Sequence, residues 1–337
     1  MSLGSEIFSN IYVLSKWWKT WKTLPVLPWV RAASLYRAGK FDRAEAFYRK
    51  GIKRAPNHPA QFCARLDLAY CLFKSGKIED AEKELRFVVT RLKKGREAPL
   101  RLARLQLWSG RSLEAAWTLR KALNEEPADL DILSTFMLAV LEHGGPSYLW
   151  NEALNGWRAL NEQQKQTPRM RALRARFALV MGEVGEYRND LEKTALNTDA
   201  PFEALLLFSE TLLEEGKVAH ARMELRRVLA LEPNHPRTLS MLAEVYLRSG
   251  PFYNPEFAQQ LASSACQSSG WLSAREMHIL AEAYYHSGDN VSALNIANKA
   301  RQCGSRLLGE YRHMMSLERL IEALNAAPAG PAKVKVL

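Results

Sequence analysis

Seven histidines, four cysteines and 36 acidic side chains are the residues with which this 337-residue chain would have to ligate a metal or catalyse a reaction. Metal ligation from a helix needs donors on one face, typically at i and i+4. No two of His58, His143, His220, His235, His278, His286 and His313 stand at i and i+4, and none falls in a cysteine cluster at ligand spacing. Cys63, Cys71, Cys266 and Cys303 have neither metal nor redox spacing. Cys63 and Cys71 stand eight residues apart on one predicted helix, about 12 Å of rise and too far for a bridge. A reducing compartment is the expectation. The carboxylate pairs Glu79 with Asp80, Glu125 with Glu126 and Glu214 with Glu215 are adjacent residues, which point in different directions on a helix. No glycine-rich phosphate loop, dinucleotide fingerprint or nucleophile elbow is present. The chain therefore reads as non-enzymatic, with no catalytic residue, no metal and no cofactor.

The net charge of +11 is unevenly spread. Residues 1–124 hold 25 basic against 10 acidic side chains, a net of +15, so the remainder carries −4. A basic N-terminal third suits an anionic partner, whether membrane surface, acidic protein or nucleic acid, or a solvated helix face. Within it, Ile7, Phe8, Ile11, Leu14, Trp18 and Trp21 recur at helical spacing, and Lys16, Lys19 and Lys22 interleave with Trp17, Trp18 and Trp21. Indoles and ammonium groups in this mixture suit a lipid headgroup layer. The same apolar stripe over residues 5–23 equally suits a cap on the first repeat or a surface for self-association. No apolar run is long enough to span a bilayer.

From Pro25 onward the pattern becomes periodic. Gly216 is followed by Ala221, Leu225, Val228 and Pro233, which are the turn, small-knob, large-knob and stop positions of a helical hairpin. Gly39 precedes Ala44, Tyr48 and Pro56; Gly76 precedes Ala81 and Leu85; Gly110 precedes Ala115, Leu119, Ala122 and Pro127; Gly288 precedes Ala293, Ala297 and Ala300. Gly76, Gly110 and Gly144 stand 34 residues apart, as do Gly216 and Gly250. The turns after Gly144 and Gly250 are longer, delaying the small knob to Ala153 and Ala258. Around Gly185 the small place falls on Asp190, the weakest match. In this period and these positions the chain resembles the tetratricopeptide-repeat family.

That resemblance implies an all-α, right-handed solenoid of about eight hairpins over residues 25–304, after an amphipathic helix over 1–24. A capping helix over 305–325 and a disordered tail over 326–337 complete the expected organisation. It also implies a concave groove lined by the first helix of each hairpin. Carried over residue by residue, the groove candidates are Trp29, Tyr36, Asp67, Tyr70, Lys74, Arg101, Arg104 and Trp108, then Glu210, Arg237, Glu244 and Arg248. The places of the chaperone adaptors' carboxylate clamp hold Trp29, Ala33, Asp67 and Arg101, and the asparagine ladder of glycosyltransferase solenoids is missing, so neither specialisation is implied. Glu203, Glu210 and Glu214 are followed by Arg237, Glu244 and Arg248, a change of sign that suits a protein segment and argues against nucleic acid.

The expected function is a protein-interaction scaffold in a cytoplasm. It would sit peripherally on the cytoplasmic face of a bacterial inner membrane, in an envelope, secretion or polysaccharide-related assembly. A soluble regulatory subunit of an enzyme complex is the alternative, and a helical-repeat RNA binder a further one.

Overall fold

A computed structural model describes residues 27–92, 95–144, 147–183, 185–306, 308 and 311–326. The aromatic and basic segment over residues 5–23, with Lys16, Trp17, Trp18, Lys19, Trp21 and Lys22, lies outside them, as does the chain from residue 327 onward. Among the described residues there are eighteen helices and no strand. Sixteen of them pair into hairpins. The first hairpin is α1 (Leu27–Arg37) with α2 (Phe41–Arg54), followed by α3 (Gln61–Lys74) with α4 (Ile78–Arg91) and α5 (Glu97–Trp108) with α6 (Ser112–Glu125). Next come α7 (Leu130–His143) with α8 (Ser147–Ala159), the single turn α9 (Glu162–Lys165), and α10 (Pro168–Val180) with α11 (Gly185–Ala195). The last three are α12 (Phe202–Glu214) with α13 (Val218–Leu231), α14 (Pro236–Leu247) with α15 (Pro255–Ser268), and α16 (Ala274–His286) with α17 (Asn290–Gly304). Helix α18 (Met314–Ala326) packs on α16 and α17 through buried Leu317, Ile321 and Leu324.

The hairpins form for local reasons. At Gly76 the backbone takes φ 75°, Gly76 N–H bonds Phe73 O at 3.0 Å and Lys77 N–H bonds Leu72 O at 2.8 Å. This is the left-handed helix stop that glycine adopts without strain. A Cβ there would meet nothing within 4 Å, so the requirement is the dihedral and not the space. Five residues after each closing glycine, Ala44, Ala81, Ala115, Ala221 and Ala293 are fully buried, letting the two helices approach closely. Tyr48, Leu85, Leu119 and Leu225, four further on, are equally buried, each contributing about 1.5–3 kcal/mol of apolar transfer. The weak unit is shifted by three residues from the expected frame: its left-handed glycine is Gly182, at φ 86°, and its large knob is the buried Leu191. Gly185 instead begins α11, and Asp190 pairs with Arg171 at the surface.

Helix α5 is buried along nearly all its faces, from Ala98 to Trp108. A surface helix of an open solenoid would keep one polar side wet. Here the superhelix curls until later hairpins touch earlier ones. Trp108 Nε1 donates to the Ser268 carbonyl at 2.8 Å, across 160 residues of sequence. A Cβ on Gly110 would fall 2.2 Å from Ser273 Oγ, and one on Gly270 3.0 Å from Ile78 Cγ1. The same corner holds Trp271 at φ 60°, a left-handed backbone that costs a residue with a Cβ about 1–2 kcal/mol. The imidazole of His235, at the start of α14, lies 5.3 Å from the Trp108 ring and 4.7 Å from Phe202.

Candidate functional site

Burial against neighbouring helices, and at Trp108 the closure, decides which groove candidates a partner can reach. Trp29 is fully buried, donates Nε1 to Tyr48 O at 3.4 Å and packs so closely on Gly51 that a Cβ there would sit 2.1 Å from the indole nitrogen. Tyr36 packs on Phe41 and on Tyr70, whose centroid is 5.0 Å away. Asp67 is buried and accepts from Tyr48 Oη at 3.2 Å. Burial, then Asp67, pushes both the Tyr36 and Tyr48 phenols up. Arg101 is 1% exposed, donating to Glu97 at 2.5 Å and to the Leu66 carbonyl at 3.4 Å. Arg104 is buried with its guanidinium 3.6 Å from Asp131, and Trp108 carries the seam bond already described. These side chains have partners inside the protein in place of an incoming segment. Lys74 is exposed, its ammonium 5.6 Å from the Tyr70 ring centroid.

The four later candidates, Glu210, Arg237, Glu244 and Arg248, converge on one cleft of about 600 Å³. It lies between α12, α14, α16 and residues 311–320, with Glu142 of α7 at its edge, and Arg275, His278, Glu282, Tyr285, Arg312 and His313 are among its other polar lining residues. Met241, Ile279 and Leu320 supply apolar patches. Arg237 is the hub, its buried guanidinium bonding Glu142 of α7 and Glu210 of α12. Burial opposes its charge, but the two carboxylates outweigh burial and hold its pKa above the ordinary arginine value. Glu210 is likewise held below the usual carboxylate range, Arg237 and Arg176 overcoming the effect of burial. Arg176 bonds Glu214 at 2.5 Å, and Arg248 donates to the Leu213 carbonyl at 2.7 Å.

On the opposite wall, burial and then Glu244 push Glu282 up to about 7, and burial raises Glu244. His278 bonds Tyr311 Oη at 3.2 Å and lies 3.4 Å from Glu282. Burial, with His313 second, holds its imidazole down at about 4. Histidine, tyrosine and carboxylate thus adjoin, but the imidazole is held neutral and the phenol is pushed up by burial, the reverse of an activated base and nucleophile. Among the described residues no group of three or more His, Cys, Asp or Glu is placed to hold a metal ion. No helix among them is long and apolar enough to cross a membrane.

Arg275, Glu282 and His286 precede Gly288 by the same intervals at which Arg237, Glu244 and Arg248 precede Gly250, so the repeat spacing already contained that part of the lining. Arg312 and His313 follow the last hairpin and belong to no repeat position.

Residues 35–89 match the family described as Tetratricopeptide repeat, and the same hairpin geometry continues to Gly304. The matched segment is a tetratricopeptide repeat, and the described chain has the fold of a tetratricopeptide-repeat solenoid. A tetratricopeptide repeat protein from Parabacteroides merdae is similar at 12% identity, over 89% of this chain and 98% of that one, with a TM-score of 0.41. The human IFIT1 dimer with m7Gppp-AAAA is similar at 13% identity, over 88% of this chain and 71% of that one, with a TM-score of 0.50. The APC/C Cut9–Hcn1 hetero-tetramer matches at 14% identity, over 93% of this chain and 57% of that one, with a TM-score of 0.47. At these identities the likeness is one of fold. A sequence comparison with curated proteins gives no match. The fold supports a protein-interaction scaffold, and it names no partner.

Proposed function

We propose that this protein is a non-enzymatic scaffold that holds a segment of a partner protein in the cleft between α12, α14, α16 and residues 311–320. One observation carries the reading: the earlier groove residues are buried against neighbouring helices, and at Trp108 and Gly110 against later hairpins, while about 600 Å³ of mixed polar and apolar lining stays open between α12, α14 and α16. A preformed cleft loses little conformational entropy on binding, so the ordering cost falls on the partner. The human IFIT1 structure holds m7Gppp-AAAA, but here acidic Glu210 and Glu214 alternate with basic Arg237 and Arg248 along the cleft, a pattern that does not track a continuous phosphate backbone. Benzoylphenylalanine placed at Tyr285, on the cleft rim, is expected to crosslink a partner protein in cells. The same label at Trp117, on the outer face, is the control. Adducts confined to Trp117 would overturn the assignment.

The membrane context belongs to the same proposal and rests on the Trp and Lys mixture over residues 16–22. Full-length protein should sediment with anionic liposomes and lose that binding as salt rises, whereas a chain starting at Leu24 should not bind. Equal behaviour of the two chains would favour the soluble regulatory subunit, with the segment as a cap or a surface for self-association.

A further inference from the structure

Arginines facing the interior of this protein are generally committed. Arg65 bonds Glu84, Arg111 bonds Glu82, Arg176 bonds Glu214 and Arg237 bonds Glu142 and Glu210. Two guanidiniums on the cleft differ. Arg275, half-buried in the first turn of α16, and Arg312, exposed ahead of α18, have neither a hydrogen bond nor an ion pair with any described residue. Both border the cleft, and both border the water-sized void of about 30 Å³ behind it, so they share one corner of the site. Their field is felt there: after burial, Arg275 and then Arg312 push the His313 imidazole down, and Arg312 does the same to His143. The carboxylates nearby do not cancel this charge. Glu142 and Glu210 are spent on Arg237 and Glu214 on Arg176, while Glu244 and Glu282 are pushed toward their neutral forms. Beside this corner Met241, Ile279 and Leu320 offer apolar contact.

Resting on the reading of the cleft as the partner site, we propose that the segment it takes is acidic: an aspartate or glutamate side chain docks against Arg275 and Arg312, with apolar neighbours on Met241, Ile279 and Leu320. A guanidinium that enters a partner interface without an acceptor loses water and regains nothing. A carboxylate restores that loss and adds charge-assisted hydrogen bonds. Such contacts tune specificity and approach as much as affinity.

The test uses the full chain and a fluorescent twelve-residue peptide with both ends blocked, carrying two glutamates among leucines and one photoreactive benzoylphenylalanine. Binding is read by anisotropy and the contact by crosslinking. The acidic peptide is expected to crosslink within the cleft and to bind at least about tenfold tighter than its glutamine analogue. Arg275→Glu with Arg312→Glu should remove that preference and transfer it to a lysine analogue. The Arg275→Gln and Arg312→Gln variants, whose parent side chains make no hydrogen bond or ion pair with a described residue, together with their circular dichroism, check that loss of binding is not loss of structure. Equal affinity for glutamate and glutamine peptides, with crosslinks still in the cleft, overturns the acidic preference and leaves the cleft reading standing. Crosslinks outside the cleft overturn both. Binding only when the terminal carboxylate is free, or only when a phosphoserine replaces glutamate, also overturns the proposal, because the anion would then not be an acidic side chain.

Discussion

Replacing Gly110 with alanine tests the ring closure directly, because Gly76 supplies a matched control. Both glycines hold nearly the same left-handed backbone, φ 71° and φ 75°, in the same position of successive hairpins. An alanine at either costs about 1–2 kcal/mol from the dihedral alone. Each also gains a few tenths of a kcal/mol or more from a stiffer unfolded chain, and that gain cancels between the two. Their surroundings differ. At Gly76 the new methyl meets nothing within 4 Å, whereas at Gly110 it would lie 2.2 Å from Ser273 Oγ, 2.8 Å from Ser273 Cβ and 3.4 Å from Ser273 Cα. Rotating the hydroxyl away cannot relieve a clash with Cβ, so the corner of α15 and α16 has to shift. Overpacking of that kind costs about 1–3 kcal/mol. Gly110→Ala should therefore destabilise by about 1–3 kcal/mol more than Gly76→Ala in urea unfolding followed by circular dichroism, and should raise the radius of gyration in small-angle scattering. Ser273→Gly removes the opposing atoms, and its own hydroxyl is buried without a partner, so the double variant should fall back to the Gly76→Ala level. Equal losses for the two alanine variants, with no coupling to Ser273, would refute the closure in solution.

Further outcomes follow from the buried charges. Arg237→Met leaves Glu142 without its cation and Glu210 with only Arg176, 3.6 Å away, and removing one partner of a buried pair costs about 3–5 kcal/mol. That loss should shrink at low pH, where the carboxylates protonate. In the parent Glu210 titrates below its ordinary value, so its contribution is present above that value and fades only as pH falls through the depressed one. Glu276 behaves in the opposite sense. Burial pushes it up from 4.5 to about 7, so the folded protein holds this proton more tightly than the unfolded chain does. Stability from this group is full below pH 4.5 and is lost as pH rises to about 7, by an amount on the order of 3 kcal/mol. Unfolding measured across that range should slope downward in the parent and less steeply in Glu276→Gln, where Glu282, also pushed up to about 7, still contributes.

Part of the candidate site was legible in the sequence. Glu210, Arg237, Glu244 and Arg248 occupy groove places fixed by their distance from the next glycine, and the cleft holds all four. The same spacing before Gly288 falls on Arg275, Glu282 and His286, which were not among the expected groove residues. Arg312 and His313 were not legible, because they follow the last hairpin, where no repeat spacing applies. Trp29, Asp67, Arg101 and Trp108 also occupy groove places, and there position was no guide to access. A groove residue is wet only if nothing folds over it.

The sequence by itself determined the hairpins, since each depends on a few neighbouring residues: a glycine that can turn left-handed, an alanine five places on, a leucine or tyrosine four beyond that. It determined the expected order of repeats and the absence of any motif for catalysis. Only the tertiary structure decided that the solenoid closes on itself. Curvature is the sum of small rotations at every interface between hairpins, so no single residue encodes it. The contacts that seal it, Trp108 with Ser268 and Gly110 with Ser273, join residues more than a hundred positions apart. That closure covers Trp108 and Gly110, and packing between neighbouring hairpins buries the earlier groove residues, so burial and not repeat position separates the filled places from the open ones.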